Sequence, residues 1–291
     1  MRRMVNACLM LIMVLLTLTG WNHASSIQVA EAAAPTQLFS DDFESGNLGK
    51  WTSCFAGANS VTTEKTHSGS YSLKSNLQVF GPCEIQPSPQ PTQTRIYISF
   101  WVNWGNTYGC YNHWWRLFTP DGSQLDFERN FSPCKGGATP TFNVAFLFNF
   151  TSGNAPTWGI LDPFWNNSDN AWHQIEMLIH LNTPGLADGL VKVWIDRILV
   201  LDSNSGAGIR AGNPKMPRDT NTTGFTKLVI VSNFDIIGQF DCNTTGGVQP
   251  CTDPSLDYFM YIDDVEWWTD CPVSGASCSI RPSPPQRFRV R

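Results

Sequence analysis

Much of the chain alternates between apolar and polar positions. In residues 94–104 (TRIYISFWVNW), Ile96, Ile98, Phe100 and Val102 fall on one side of an extended chain, with Tyr97, Ser99, Trp101 and Asn103 on the other. Residues 141–150 repeat this, setting Phe142, Val144, Phe146 and Phe148 against Asn143, Ala145, Leu147 and Asn149. Residues 172–181 place Ile175, Met177, Ile179 and Leu181 on a single side, and 190–201, 226–233 and 257–268 complete the long strands. A period of two with one apolar face marks half-buried antiparallel strands. Asp121-Gly122 and Asp188-Gly189 supply turns, and no segment keeps a helical period over three turns. The pattern predicts an all-β sandwich of two antiparallel sheets, one domain spanning 35–278, or about 245 residues.

The ends read differently. Arg2 and Arg3 precede an apolar run over residues 7–18, followed by small residues around Ala24 and Ala30–Ala32. The run is short for a membrane span and fits a secretory signal, so 1–34 is read as signal peptide and spacer. No later stretch reaches the roughly 20 apolar residues of a span. The protein is expected to be secreted or periplasmic. Residues 279–291, ending RPSPPQRFRVR, form a Pro- and Arg-rich tail. Without Cys8 of the leader, eight Cys remain, an even number that suits disulfides in an oxidising compartment. No Cys/His spacing suits zinc. Nearest-neighbour pairing gives 54–83, 110–134, 242–251 and 271–278, one of 105 connectivities. Five N-x-[ST] sites begin at Asn130, Asn149, Asn166, Asn221 and Asn243.

Composition narrows the function. Only 15% of residues are charged, against roughly 25% in typical domains, which excludes disordered polyelectrolytes and coiled coils. Residues 35–278 carry 13 Lys and Arg against 23 Asp and Glu, a net charge of −10. An acidic body argues against nucleic acid or an anionic membrane as partner.

Three stretches taken together resemble a known family: FSDDFESGNLGKW at 39–51 with HSGSYSL at 67–73, WHQIEMLIHLNTPGLADGLVKVWI at 172–195, and YIDDVEW at 261–267. They resemble concanavalin A-like (laminin-G-like) jelly-roll domains, nearest to bacterial polysaccharide-lyase-like members. The resemblance implies a sandwich whose opening and closing strands adjoin, and a polysaccharide ligand. Such hairpins usually turn on Asp-Gly, whereas this chain has Asp196-Arg197. Asp42, Glu44 and Asp264 would meet where the terminal strands adjoin. Similar domains hold a structural Ca²⁺ there, a cation that takes oxygen ligands of this kind. The competing reading leaves these acids solvated or capping turns.

For a glycan, aromatic platforms flanked by amide and guanidinium donors are the fitting chemistry. Tyr97, Trp101, Trp115, Arg116, Asn143 and Asn149 are read as sharing one groove, with Glu128 as a further ligand contact. Residues 108–129 are the densest in chemical groups. A β-eliminating lyase needs a uronate neutraliser and a proton acceptor and donor, for which Arg116, His113 and Tyr111 are the candidates. His113 and Arg116 lie three apart, so only a bulge at Trp114-Trp115 would put them on one face. The alternative for Arg116 is an ion pair with Glu128 across a hairpin. A glycoside hydrolase lacks its paired carboxylates in an E-x-D-x-x-E run, and no G-x-S-x-G elbow occurs. Polysaccharide binding therefore leads, with uronate lyase and a non-catalytic matrix protein as alternatives.

Overall fold

The computed structural model describes residues 34–52, 57–76, 83–85, 91–103, 111–120, 124–131, 142–149, 157–161, 170–181, 183, 188–202, 204, 224–234, 259–272 and 277–279. For 85, 111–114, 124–131, 142–149, 157–161, 231–234 and 279 it describes the backbone alone. The leader and the basic tail, as well as Cys54, Cys110, Cys134, Cys242 and Cys251, lie outside the described residues.

Among the described residues fifteen strands follow in chain order. They are β1 (Gln37–Asp41), β2 (Trp51–Thr52), β3 (Asn59–Thr62), β4 (Ser72–Asn76), β5 (Cys83–Ile85), β6 (Arg95–Asn103), β7 (Tyr111–Phe118) and β8 (Gln124–Phe131). Then come β9 (Phe142–Asn149), β10 (Thr157–Leu161), β11 (His173–His180), β12 (Leu190–Ile195), β13 (Ile198–Asp202), β14 (Lys227–Phe234) and β15 (Phe259–Trp268). Eight form one sheet, ordered β13-β12-β11-β6-β15-β4-β3 with β1 also on β15, and seven form the other, ordered β10-β9-β8-β7-β14-β5-β2. All described pairings are antiparallel, and the only helix among the described residues is a 3-10 turn at Ser277–Ser279. No described helix is long and apolar enough to cross a membrane.

The alternation settles which face is core. Ile96, Ile98, Phe100 and Val102 of β6 and Ile175, Met177 and Ile179 of β11 are buried in the main apolar cluster. The facing sheet contributes Trp115, Leu117, Leu228 and Ile230, and Trp115 packs its ring on Phe100 at 3.9 Å. In β15 the buried apolar positions change parity, from Met260 and Ile262 to Val265 and Trp267. A register irregularity between Asp263 and Glu266 accounts for this, since an extra residue restores the apolar side to the core.

Asp196 and Arg197 form the two-residue turn between β12 and β13, with φ of 50° and 67°. Two positive φ values are those of a type I′ turn, so the hairpin turns as Asp-Gly hairpins do, without glycine. Asp196 is held by His173 Nδ1 at 2.7 Å and by the Gln174 N–H at 2.9 Å. Burial works against its ionised form, yet these donors hold the carboxyl below its usual range. Arg197 has no such compensation in its side chain's exposed position. Arg197→Gly is expected to raise stability by about 0.5–1 kcal/mol, read from urea unfolding, because glycine adopts this φ without the left-handed penalty.

The outer face of the eight-stranded sheet is partly sealed by the segment after β15. Tyr97, Leu178 and Trp194 form a second buried cluster, with Trp268, Cys271 and Cys278 packed against it. Cys271 and Cys278 are disulfide-bonded, the pairing expected from sequence, with Cα atoms 6.0 Å apart. Cys83 is also disulfide-bonded. Beneath the Cys271–Cys278 loop, buried Glu176 accepts from Tyr97 Oη at 2.6 Å, from the Ser277 N–H at 2.8 Å and from the Ser277 hydroxyl. Nearby, Asp270 meets Arg95 at 2.6 Å and His180 Nε2 at 3.3 Å. Burial and then the Arg95 charge lower the His180 pKa, outweighing Asp270. A histidine with a lowered folded pKa stabilises above its unfolded value, near 6.5, and that contribution is lost as pH falls through the folded value. Urea titrations from pH 7 to pH 5 should show a loss of stability that His180→Gln reduces.

Candidate functional site

The β7 candidates lie on the seven-stranded sheet, whose two sides the core separates. Trp115 and Leu117 point inward, so Arg116 and Phe118 occupy the opposite side of β7. Ladder partners share a face, and register therefore extends this one across the sheet. Arg116 pairs with Val229 on β14 and Asp126 on β8, and Asp126 with Leu147 on β9. The register of β7 shifts between His113 and Trp115, so His113 pairs with Glu128 and Trp115 with Phe127. One extra residue at that point puts the His113 and Arg116 positions on the same face. The next row joins Asn233, His113, Glu128, Ala145 and Gly159, and the row beyond joins Tyr111, Asn130, Asn143 and Leu161. At the other end, Lys227 lies 5.5 Å over the Phe118 ring and pairs with Glu84 at 2.5 Å.

Six of the sequence candidates thus share one face by register: Tyr111, His113, Arg116, Glu128, Asn143 and Asn149. Arg116 stands opposite Asp126 in the register, with Glu128 one row along on the same face. Three other candidates lie elsewhere. Trp115 is 2% exposed between the sheets, so it is a core ring and not a groove platform. Tyr97 is 2% exposed under the disulfide loop, where burial and the Glu176 carboxylate raise its pKa. Trp101 belongs to β6 of the other sheet. The single aromatic groove expected from sequence is therefore divided between two sheets. Lys227, Asp126 and Asn233 were missed as members of the Arg116 face, because only strand order and the β7 bulge bring them there.

The three carboxylates expected to hold calcium have separate partners. Asp42 Oδ1 accepts the Glu44 N–H at 3.3 Å. Glu44 Oε1 accepts the N–H groups of Ser70 and Tyr71, both at 2.8 Å. Gly69 makes this approach possible, for a Cβ there would sit 2.4 Å from the Glu44 carboxyl carbon. Asp264 meets His67 Nδ1 at 2.7 Å and the Ser68 hydroxyl at 2.8 Å. Among the described residues no three His, Cys, Asp or Glu side chains stand together as a metal site. Glu44 and Asp264 do reach the same 67–71 loop, and they fasten it through its N–H and O–H donors. The buried acid of the opening strand is Asp41, which accepts Trp51 Nε1 at 2.6 Å and the Phe43 N–H at 3.1 Å. Its inward place in the β1 alternation with Phe39 was the overlooked signal.

No family model matches the chain, and no curated protein matches it. Solved structures do. The alginate lyase Aly36B is similar at 12% identity and a TM-score of 0.51, over 80% of this chain and 96% of that one. A mutant of that lyase in complex with alginate tetrasaccharide gives 13% identity and a TM-score of 0.50 over the same shares. The endo-β-1,4-glucuronan lyase of Trichoderma reesei gives 13%, 0.48, 80% and 95%. At these identities the likeness concerns architecture, and the architecture is the one the 39–51, 172–195 and 261–267 motifs pointed to: a concanavalin A-like jelly roll.

Proposed function

We propose that the protein binds a polysaccharide on the outer face of its seven-stranded sheet, around Arg116. The observation that carries this is the β7 bulge, which gathers the His113, Arg116, Glu128 and Asn143 positions on one face. Guanidinium, imidazole, carboxylate and amide groups in adjacent rows suit the hydroxyl and carboxylate groups of a glycan. Support also comes from the alginate lyases that share the architecture. The net charge of −10 repels a uronate polymer at long range, so the local cation at Arg116 has to do the recognising.

The same bulge favours a second reading, β-elimination of a uronate polymer. Arg116 would neutralise the carboxylate, His113 or Tyr111 would take the C5 proton, and the C4–O bond would break as the leaving oxygen gains a proton. The product carries a C4–C5 double bond. Absorbance of that unsaturated uronate, followed on a panel of uronate polysaccharides, tests the two together. A rising signal that Arg116→Ala reduces by at least about 100-fold makes the protein a lyase. A flat signal with retention on a uronate gel that Arg116→Ala weakens about tenfold leaves binding alone. Neither signal nor retention on any uronate overturns both.

Calcium and export belong to this proposal. A cation would have to displace donors from Glu44 or Asp264, so calorimetric titration of chelator-treated protein is the measurement; a flat trace removes calcium from the reading. The mass of the mature protein tests a leader ending near Ala34.

A further inference from the structure

We infer that the outer face of the eight-stranded sheet carries a second saccharide site, built on Trp101, Trp172 and His67, that takes a neutral pyranose ring. It shares with the proposed function only the class of ligand, and none of its residues lies on the Arg116 sheet.

The site begins with Trp101, which alternation places on the solvent side of β6, between Asp263 of β15 and Gln174 of β11. The His67 ring lies parallel to it, with centroids 3.7 Å apart and planes inclined by 13°. Trp172 meets that imidazole edge-on at 5.9 Å and 67°. Two indoles, both partly exposed, therefore stand at a steep angle about one imidazole, an aromatic corner open to solvent. His67 covers one face of Trp101, so the aromatic surface left for the C–H side of a pyranose is the Trp172 indole with the uncovered side of that imidazole beside it.

The polar groups of the corner are arranged to match hydroxyls. His67 Nδ1 lies 2.7 Å from the Asp264 carboxylate, which orients the imidazole and leaves Nε2 outside that contact. Among the described residues His67 Nε2 and the Nε1 groups of Trp101 and Trp172 have no hydrogen-bond partner. An imidazole nitrogen and two indole N–H donors beside an apolar surface are the complement of a sugar edge.

Backbone irregularity at the same place is the independent observation. Asp264 has φ of 48° and Asn170, two residues before Trp172, has φ of 61°. The β15 register shift begins at Asp263, directly across from Trp101. Asp263 itself is fully buried under the 67–68 loop, accepting the N–H groups of His67 and Ser68 at 2.9 and 3.2 Å. Strained residues and bulges concentrate where a side chain must be aimed. Here they aim Asp264 at His67 and bring Trp172 over the end of the sheet.

Charge selects the ligand. Two adjacent carboxylates, Asp263 and Asp264, lie beneath and beside the corner, so a uronate is disfavoured there and a neutral ring is not. The two faces would thus hold different parts of a mixed polysaccharide, or two polymers.

The test is affinity electrophoresis of the full chain in native gels containing hydroxyethylcellulose, galactomannan or xylan, with an alginate gel beside them. Retardation is expected in at least one neutral gel. Trp172→Ala should raise the apparent Kd there about tenfold while leaving alginate behaviour unchanged, and Arg116→Ala should do the reverse. His67→Ala, which removes the imidazole at the centre of the corner without touching the core, serves if Trp172→Ala does not fold. No retardation in any neutral gel, or retardation that both corner variants keep, overturns the site. Binding to neutral gels with none to uronates would sink the Arg116 reading and leave this one standing.

Discussion

Trp115→Ala is expected to lower stability by about 3–5 kcal/mol and the melting temperature by roughly 10 °C. The ring is buried between the sheets and packs on Phe100 at 3.9 Å, so truncation removes apolar contact from both layers at once. Strands β7 and β6 cannot close the gap independently, because each is hydrogen-bonded to neighbours on both edges. Cavity cost then adds to lost transfer energy. Calorimetry at neutral pH checks it. A drop of less than about 1 kcal/mol would mean that Trp115 faces a groove after all, and the assignment of the sheet's two sides would reverse, taking the Arg116 face with it.

Glu176→Ala should cost about 2–4 kcal/mol. One buried carboxylate serves three donors, the Tyr97 hydroxyl and the Ser277 N–H and hydroxyl. Its removal leaves these groups with their desolvation cost and no partner. Glu176→Gln should fall between wild type and alanine, since an amide keeps one acceptor but turns a second donor toward the others. The Tyr97 signal in near-ultraviolet circular dichroism should weaken along the same order, because the loop closed by Cys271 and Cys278 loses its internal anchor. Equal melting temperatures for all three proteins would show that the loop is held by its disulfide alone.

How much of this was legible in the sequence depends on whether a strand runs without a break. For β6 and β11 the period of two names every core residue correctly, from Ile96 to Val102 and from Ile175 to Ile179. In β7 and β15 a single extra residue reverses the pattern midway. The adjacent pair Trp114-Trp115 offers two identical side chains to two opposite faces, and no periodicity chooses between them. Tyr97 was correctly taken out of the central core, yet its cover comes from Ser277 and the disulfide loop, about 180 residues later. The corner of His67, Trp101 and Trp172 was equally hidden. Its members come from a loop, a strand and a strand entrance, and only the sheet order makes them neighbours. The carboxylates of the opening and closing motifs were legible as acids where the terminal strands adjoin, but the 67–71 loop that Glu44 and Asp264 fasten, and its donors, were not.

The place of β15 has a consequence for how the molecule comes into being. This strand lies inside the eight-stranded sheet: β6 takes one edge, while β4 and then β1 divide the other on either side of the Asp263–Asp264 irregularity. Thr36 and Thr269, hydrogen-bonded to each other, are 233 residues apart in sequence. A chain still on the ribosome therefore has three strands with an unsatisfied edge and no neighbour to give them, until residue 268 has emerged. Such long-range closure is slow, and the waiting edges are sticky. The eight-stranded sheet is finished only once β15 is in place, so it cannot be built progressively from β1, and without β15 it falls into two separated pieces and an unpaired β1 rather than a smaller version of the same sheet.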